Sequence, residues 1–94
     1  MAGKEAEQRE IYYSGRVQGI GFRYTARAIA ALHRVTGFVR NLPDGRVHLV
    51  VEGDSDEIQA FVDSLQADIG TYIHDTQVSV RPPTGRFKGF DIRF

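Results

Sequence analysis

The sequence predicts an α+β domain in which one antiparallel sheet carries two helices on one of its faces. Three observations predict this fold: apolar residues recur at helical spacing in two segments, they alternate in several others, and glycine- or proline-containing turns separate the segments. With 94 residues, of which 41% are hydrophobic, the chain is long enough for one domain with its own core. We expect a folded domain over residues 9–94, preceded by a flexible polar tail at residues 1–8.

The first half of the chain predicts a strand, a helix and a hairpin. Aromatic and β-branched residues predict a strand over residues 9–17, and helical spacing predicts a helix over residues 22–33. The sheet-facing positions of that helix are Phe22, Ala26, Ile29, Ala30 and His33. The turn signal Pro43-Asp44-Gly45 joins two strands into a hairpin over residues 36–52. In its second strand the residues alternate between two faces: Val47, Leu49 and Val51 on one, and His48, Val50 and Glu52 on the other.

The second half predicts a helix and two strands. Asp54 and Glu57 have the spacing of a capping box, which predicts a helix start. The apolar stripe of this helix is Ile58, Phe61, Val62 and Leu65. A loop at residues 67–72, a strand at 76–81 and a short strand at 90–94 complete the chain. The order β-α-β-β-α-β, with a short C-terminal strand added, is that of the ferredoxin-like sandwich.

Charge and composition exclude several classes of protein. Twelve basic and twelve acidic residues give a net charge of zero, so nothing attracts the whole chain to nucleic acid or to an anionic membrane. The absence of cysteine excludes disulfides, thiol catalysis and cysteine-based metal sites. No stretch has the apolar core of a signal peptide or a membrane span. We therefore expect a cytoplasmic, monomeric protein with no membrane or nucleic-acid partner.

A glycine-rich loop lies between the first strand and the first helix. Gly15, Gly19 and Gly21 permit positive φ and leave backbone N–H groups uncovered, and the helix start that follows favours an anion. Arg23 lies in the first helical turn, where a guanidinium can bind two oxygens of a phosphate. Taken alone, the loop fits an anion site and also fits a structural glycine turn beside an exposed arginine. Its spacing is neither that of a Walker A loop nor that of the dinucleotide fingerprint.

Three segments together closely resemble the acylphosphatase family: residues 15–23 (GRVQGIGFR), 37–41 (GFVRN) and 44–47 (DGRV). The resemblance is dense over residues 10–53 and looser beyond. It implies a ferredoxin-like fold and hydrolysis of the carboxyl–phosphate anhydride of a small acyl phosphate. Inorganic phosphate or sulfate is then the expected competing anion.

The resemblance also implies a role for individual residues. Arg23 corresponds to the arginine that binds phosphate, and Asn41 to the asparagine that positions water. Asn41 would equally suit the turn at residues 43–45. The phosphate-binding backbone loop of the family falls on Arg16, Val17, Gln18, Gly19, Ile20 and Gly21. In the predicted topology, this loop and the end of the strand that carries Asn41 share one edge of the sheet.

Three positions depart from the family pattern. Phe38 replaces a usual tryptophan, His33 a usual aliphatic residue, and Arg34 a usual helix-ending glycine. A left-handed arginine at that position is expected to destabilise the protein by about 1 kcal/mol relative to glycine.

The implied reaction needs no cofactor. The departing carboxylate has a conjugate acid of pKa about 4 and therefore leaves without a general acid. What remains is to hold the phosphoryl oxygens and aim a water, for which no metal or nucleophile is required. The histidines also lack the spacing of a metal site; they are His33, His48 and His74.

Three other functions are alternatives to hydrolysis. One is a phosphate- or nucleotide-sensing module on the same fold. Another is the acylphosphatase-like N-terminal domain of a hydrogenase-maturation carbamoyltransferase, which the length of this chain disfavours. The third is an RNA-binding surface built on Tyr12, Tyr13 and Tyr24, disfavoured because the third strand lacks the signature of RNA-recognition motifs.

Overall fold

The computed structural model of the protein describes residues 5–94, and its helices and strands follow the predicted order. They are β1 (Ala6–Gly15), α1 (Phe22–Ala30), β2 (Val35–Asn41), β3 (Val47–Asp54), α2 (Ser55–Ile69), a 3-10 turn (Gly70–Tyr72), β4 (Ile73–Arg81) and β5 (Phe90–Arg93). The predicted α+β ferredoxin-like class is confirmed. Among the described residues, no helix has the length and apolar character that a membrane crossing requires.

The five strands form one sheet in the order β4-β1-β3-β2-β5. The pairings of β4 with β1, β1 with β3 and β3 with β2 are all antiparallel. In β1, Ile11 lies opposite Leu49 of β3 and Val78 of β4. β5, the short C-terminal strand predicted in addition to the antiparallel sheet, runs parallel to β2, with Ile92 opposite Val39, so the complete sheet is mixed. The cause is the connection after β4, which crosses from one edge of the sheet to the other and brings β5 in along the direction of β2.

The first strand begins earlier than its residue types suggest. β1 starts at Ala6, opposite Asp54, so residues 6–8 of the predicted tail belong to the sheet. This stretch is largely polar, but strand pairing holds Gln8 on both sides, opposite Glu52 in β3 and Arg81 in β4. Residues 1–4 of the predicted tail lie outside the described residues.

The core lies between the sheet and the two helices. Both predicted helical stripes are buried, through Phe22, Ala26 and Ala30 in α1 and Ile58, Phe61 and Leu65 in α2. They pack against one of the two predicted faces of β3, whose residues Val47, Leu49 and Val51 are fully buried. Ile29 and Val62 complete the stripes at partly buried positions.

The junction between α1 and β2 differs from the prediction. The helix ends at Ala30, and no residue other than glycine has a positive φ within residues 5–94, so Arg34 is not left-handed and the expected strain is absent. Instead, the Arg34 N–H donates to Glu57 Oε1 at 3.0 Å. The predicted capping box is therefore also wrong: Asp54 is the N-cap of α2 but makes no side-chain cap hydrogen bond, and the Glu57 carboxylate accepts from the segment between α1 and β2 instead.

The second face of β3 is also buried, beneath residues 82–89, which we call the crossing segment. Glu52, only 4% exposed, accepts hydrogen bonds there from Gln8 Nε2, the Thr84 N–H and hydroxyl, and the Gly85 N–H. Burial raises the pKa of the Glu52 carboxyl, but these hydrogen bonds outweigh burial and hold the pKa below its ordinary value. Phe38 packs on the same face against Phe87.

Candidate active site

A pocket of about 270 Å³ opens where the loop before α1 meets the end of β2. It is lined by Val17, Gly19, Gly21, Phe22, Arg23, Tyr24 and Asn41. The structure thus brings together the two segments that the topology was expected to place at one sheet edge. The pocket adds two residues that the motif did not single out, Phe22 and Tyr24, and no local sequence signal distinguishes them from other helix residues.

Glycines give the loop its shape. Gly19 and Gly21 have φ of 79° and 80°, and no atom lies within 4 Å of a Cβ built on either, so the loop has open space beside it. Gly21 is also the N-cap of α1, and the first helical hydrogen bond runs from the Thr25 N–H to the Gly21 carbonyl at 2.9 Å. The N–H groups of residues 22–24 therefore have no partner within the helix. Uncovered N–H groups and the positive end of the helix dipole both favour an anion here.

Arg23 supplies a positive charge to the pocket. Within residues 5–94 it forms no ion pair, and the first turn of α1 holds no acidic residue. Its guanidinium lies 4.8 Å from the centre of the Phe94 ring, which keeps the cation close to an aromatic face. The sequence placed Phe94 in an alternating strand, but β5 ends at Arg93 and Phe94 is 91% exposed.

Asn41 presents an unused acceptor. It is the last residue of β2 and lies opposite Val47. Its Oδ1 is buried and has no hydrogen-bond partner in the described part of the chain. Because buried polar atoms are nearly always hydrogen-bonded, such an oxygen in the wall of a pocket suits a water or a ligand group.

Three residues of the predicted backbone loop do not line the pocket. Arg16 is exposed, and its N–H donates to the Tyr72 carbonyl at 2.9 Å. Ile20 packs against the core. The Gln18 side chain reaches the β2–β3 turn, where Nε2 donates to the Leu42 carbonyl at 2.8 Å and to the Arg46 carbonyl at 2.9 Å. The motif gave no indication of this contact, because it depends on where the hairpin lies.

The histidines lie in separate surroundings. His33 lies 3.8 Å from Glu57 and packs edge-on to Phe61, while the buried His48 lies 2.8 Å from Glu10. Burial lowers the pKa of the His48 imidazole despite that carboxylate. Within residues 5–94, no group of three or more histidine or carboxylate side chains is arranged to hold a metal ion.

Comparison with known proteins supports one family. The sequence profile of the acylphosphatase family matches residues 9–92. The acylphosphatase of Trichormus variabilis is 39% identical over 84 residues, which are 88% of this chain and 82% of that protein. The crystal structure of the acylphosphatase from Bacillus subtilis matches with a TM-score of 0.84 at 30% identity, covering 94% of this chain and 99% of the other.

The crystal structure of T. kodakarensis HypF is similar over part of a much longer protein, with a TM-score of 0.80 and 31% identity, covering 94% of this chain but 12% of that one. The profile match, the relatives and the fold agree with the resemblance seen in the glycine loop and the hairpin. The chain therefore belongs to the acylphosphatase family of enzymes, which implies that it hydrolyses acyl phosphates.

Proposed function

We propose that the pocket at the start of α1 binds the phosphoryl group of an acyl phosphate. Arg23 donates to two phosphoryl oxygens, and the backbone N–H groups from Val17 to Gly21 surround the third. The observation that carries the proposal is the convergence, in one pocket, of the glycine loop, the Arg23 guanidinium and the Asn41 Oδ1, of which the last two have no ion-pair or hydrogen-bond partner, respectively, within residues 5–94. Since the Arg16 N–H is bound to Tyr72, the backbone contribution begins at Val17.

Asn41 positions the attacking water. Its Oδ1 accepts a hydrogen bond from the water, whose oxygen then bonds to phosphorus as the bond from phosphorus to the acyl oxygen breaks. The carboxylate leaves with the bonding electron pair, and the products are carboxylate, hydrogen phosphate and one proton released to solvent. A neutral amide suits this task because it orients the water without adding a negative charge beside the phosphoryl oxygens.

The charge that develops on the phosphoryl oxygens is stabilised by Arg23, the loop N–H groups and the helix start. The carboxylate is a good leaving group and needs no proton from the enzyme. The proposed reaction therefore needs no metal ion and no covalent intermediate. Inorganic phosphate and sulfate, which resemble the transferred group, compete for the same contacts.

The deciding experiment is hydrolysis of benzoyl phosphate by the purified protein, with and without EDTA. We expect turnover that EDTA does not change and that inorganic phosphate inhibits competitively. Phosphate binding without turnover would favour a sensing module instead. Loss of turnover in EDTA, restored by a divalent cation, would contradict the metal-independent mechanism.

A further inference from the structure

The side chain of Gln18 joins the two segments that form the pocket. It belongs to the loop before α1, yet its Nε2 donates to the carbonyls of Leu42 and Arg46 in the β2–β3 turn, at 2.8 and 2.9 Å. We propose that Gln18 is a positioning residue that fixes Asn41 relative to the anion loop. This inference rests on the proposed function, in which Asn41 aims the attacking water.

The two carbonyls that Gln18 binds belong to Leu42 and Arg46, the residue pair whose backbone hydrogen bond closes the β2–β3 turn. The Leu42 N–H donates to the Arg46 carbonyl at 2.8 Å, and the Gly45 N–H donates to the Leu42 carbonyl at 3.1 Å. Gln18 therefore binds the turn at its base, one peptide unit beyond Asn41, and not at its exposed tip. A contact at that point restrains the backbone that carries the Asn41 side chain.

The geometry also removes the Gln18 side chain from the set of anion ligands. An amide nitrogen has two hydrogens, and both are used by the two carbonyls. The remaining polar atom, Oε1, is an acceptor and would repel a phosphate. The Gln18 side chain therefore acts through Asn41, whereas its backbone N–H stays part of the proposed anion loop.

Asn41 depends on such a contact because its own Oδ1 has no protein partner within residues 5–94. Its position is set by the pairing of β2 with β3, which ends at the Asn41–Val47 pair, and by the turn beyond. Without Gln18, the turn and the anion loop lose a direct bond between them. A displacement of about 1 Å at a residue that aims a reactant can lower the rate by roughly 10²-fold.

The test is Gln18→Met, which keeps the length of the side chain and removes both donors. The variant should fold, because the Leu42 and Arg46 carbonyls each keep one backbone donor. We expect kcat for benzoyl phosphate to fall roughly 10-fold, with KM and phosphate inhibition changed less than about 2-fold. Gln77→Met, the same change at an exposed position of β4, is the matched control and should keep wild-type kinetics.

A double-mutant cycle with Asn41→Ala separates positioning from a general structural effect. If Gln18 acts through Asn41, Gln18→Met should lower kcat little further once Asn41 is absent. The proposal for Gln18 would be overturned if the effects of the two substitutions on kcat were fully additive, or if Gln18→Met weakened phosphate binding as much as it lowered kcat. Either result would leave the proposed function of the pocket intact. If Asn41→Ala by itself keeps full turnover, the water-positioning role in the proposed function is wrong, and the role of Gln18 falls with it.

Discussion

Two loops of this protein contain glycines with positive φ, and the charged groups beside them differ. In the crossing segment, where Gly85 has a φ of 70°, the N–H groups of Thr84 and Gly85 donate to the Glu52 carboxylate at 2.9 and 3.0 Å. In the loop before α1, Gly19 has a φ of 79° and lines the pocket together with Arg23. The first loop binds a carboxylate that the protein itself supplies, whereas Arg23, beside the second loop, forms no ion pair within residues 5–94.

The difference shows how similar backbone geometry can serve stability or binding. A carboxylate from β3 fixes the crossing segment against the sheet, since charge-assisted hydrogen bonds are stronger than neutral ones. Among residues 5–94, no carboxylate forms an ion pair with Arg23. A guanidinium without such a partner contributes little to stability and is available to a phosphoryl group.

The largest effect should come from removing the positive charge of Arg23, beside the loop before α1. We expect Arg23→Ala to lower kcat/KM for benzoyl phosphate roughly 10²-fold or more, because the transition state loses a preorganised donor. Competitive inhibition by phosphate should weaken in parallel. Steady-state kinetics with and without phosphate measure both effects, and wild-type values for both would contradict the role of Arg23.

Asn41→Ala should also lower turnover strongly, by roughly 10²-fold, because the attacking water loses its acceptor. Unlike Arg23→Ala, it should leave the inhibition constant for phosphate nearly unchanged. The same kinetic series distinguishes the two variants. A large loss of phosphate affinity in Asn41→Ala would make this residue a ligand of the anion and not of the water.

Glu52→Gln should weaken the attachment of the crossing segment to the sheet and leave catalysis unchanged. Replacing the buried carboxylate by an amide sets an NH₂ group among donors, so we expect the free energy of unfolding to fall by about 2 kcal/mol. Urea unfolding at pH 7 measures the loss, with Asp68→Asn, an exposed change in α2, as the control. If Glu52→Gln also lowered kcat in proportion to its loss of stability, the crossing segment would not act on stability alone, contrary to this interpretation.

The pH dependence of stability tests whether the negative charge of Glu52 is what stabilises the crossing segment. Because the pKa of Glu52 is lowered in the folded state, its contribution to stability is present above the unfolded pKa of about 4.3 and is lost as pH falls through the folded pKa. The difference in unfolding free energy between the wild type and Glu52→Gln should therefore shrink below about pH 4.3. Urea titrations from pH 7 to pH 3 test this, and a constant difference would show that the charge is not responsible.

The smallest effect comes from a matched pair of glycine substitutions. No atom lies within 4 Å of a Cβ built at Gly19 or Gly85, so alanine at either site should cost about 1 kcal/mol of stability through its positive φ alone. Only Gly19→Ala should also raise the inhibition constant for phosphate, because that loop borders the pocket. Equal effects of both variants on phosphate inhibition would mean that the loop before α1 does not bind the anion.

The sequence predicted what depends on local pattern. Periodicity identified both helical stripes, the turn at residues 43–45 identified the hairpin, and the family motif identified segments that meet at one pocket. Alternation in β3 separated the inner face from the face that carries Glu52. Each of these features is set by residues close together in the chain.

What the sequence did not reveal concerns contacts between distant residues. Glu57 has capping-box spacing, but its carboxylate accepts a hydrogen bond from the Arg34 N–H, 23 positions away. Gln18 belongs to the predicted backbone loop, and no pattern indicated that its side chain reaches a turn 24 residues later. The direction of β5 depends on how the crossing segment traverses the sheet. No local pattern encodes these partners, because they exist only once the tertiary fold has formed.

The order of the strands has a consequence for how the chain folds. β1 lies inside the sheet, and both of its neighbours, β3 and β4, come from much later in the sequence. When the ribosome makes the chain, Ile11 and Tyr13 emerge long before their pairing partners in β3 and β4. The resulting high contact order predicts slow folding for a domain of this size, with the earliest strand among the last to be fully paired.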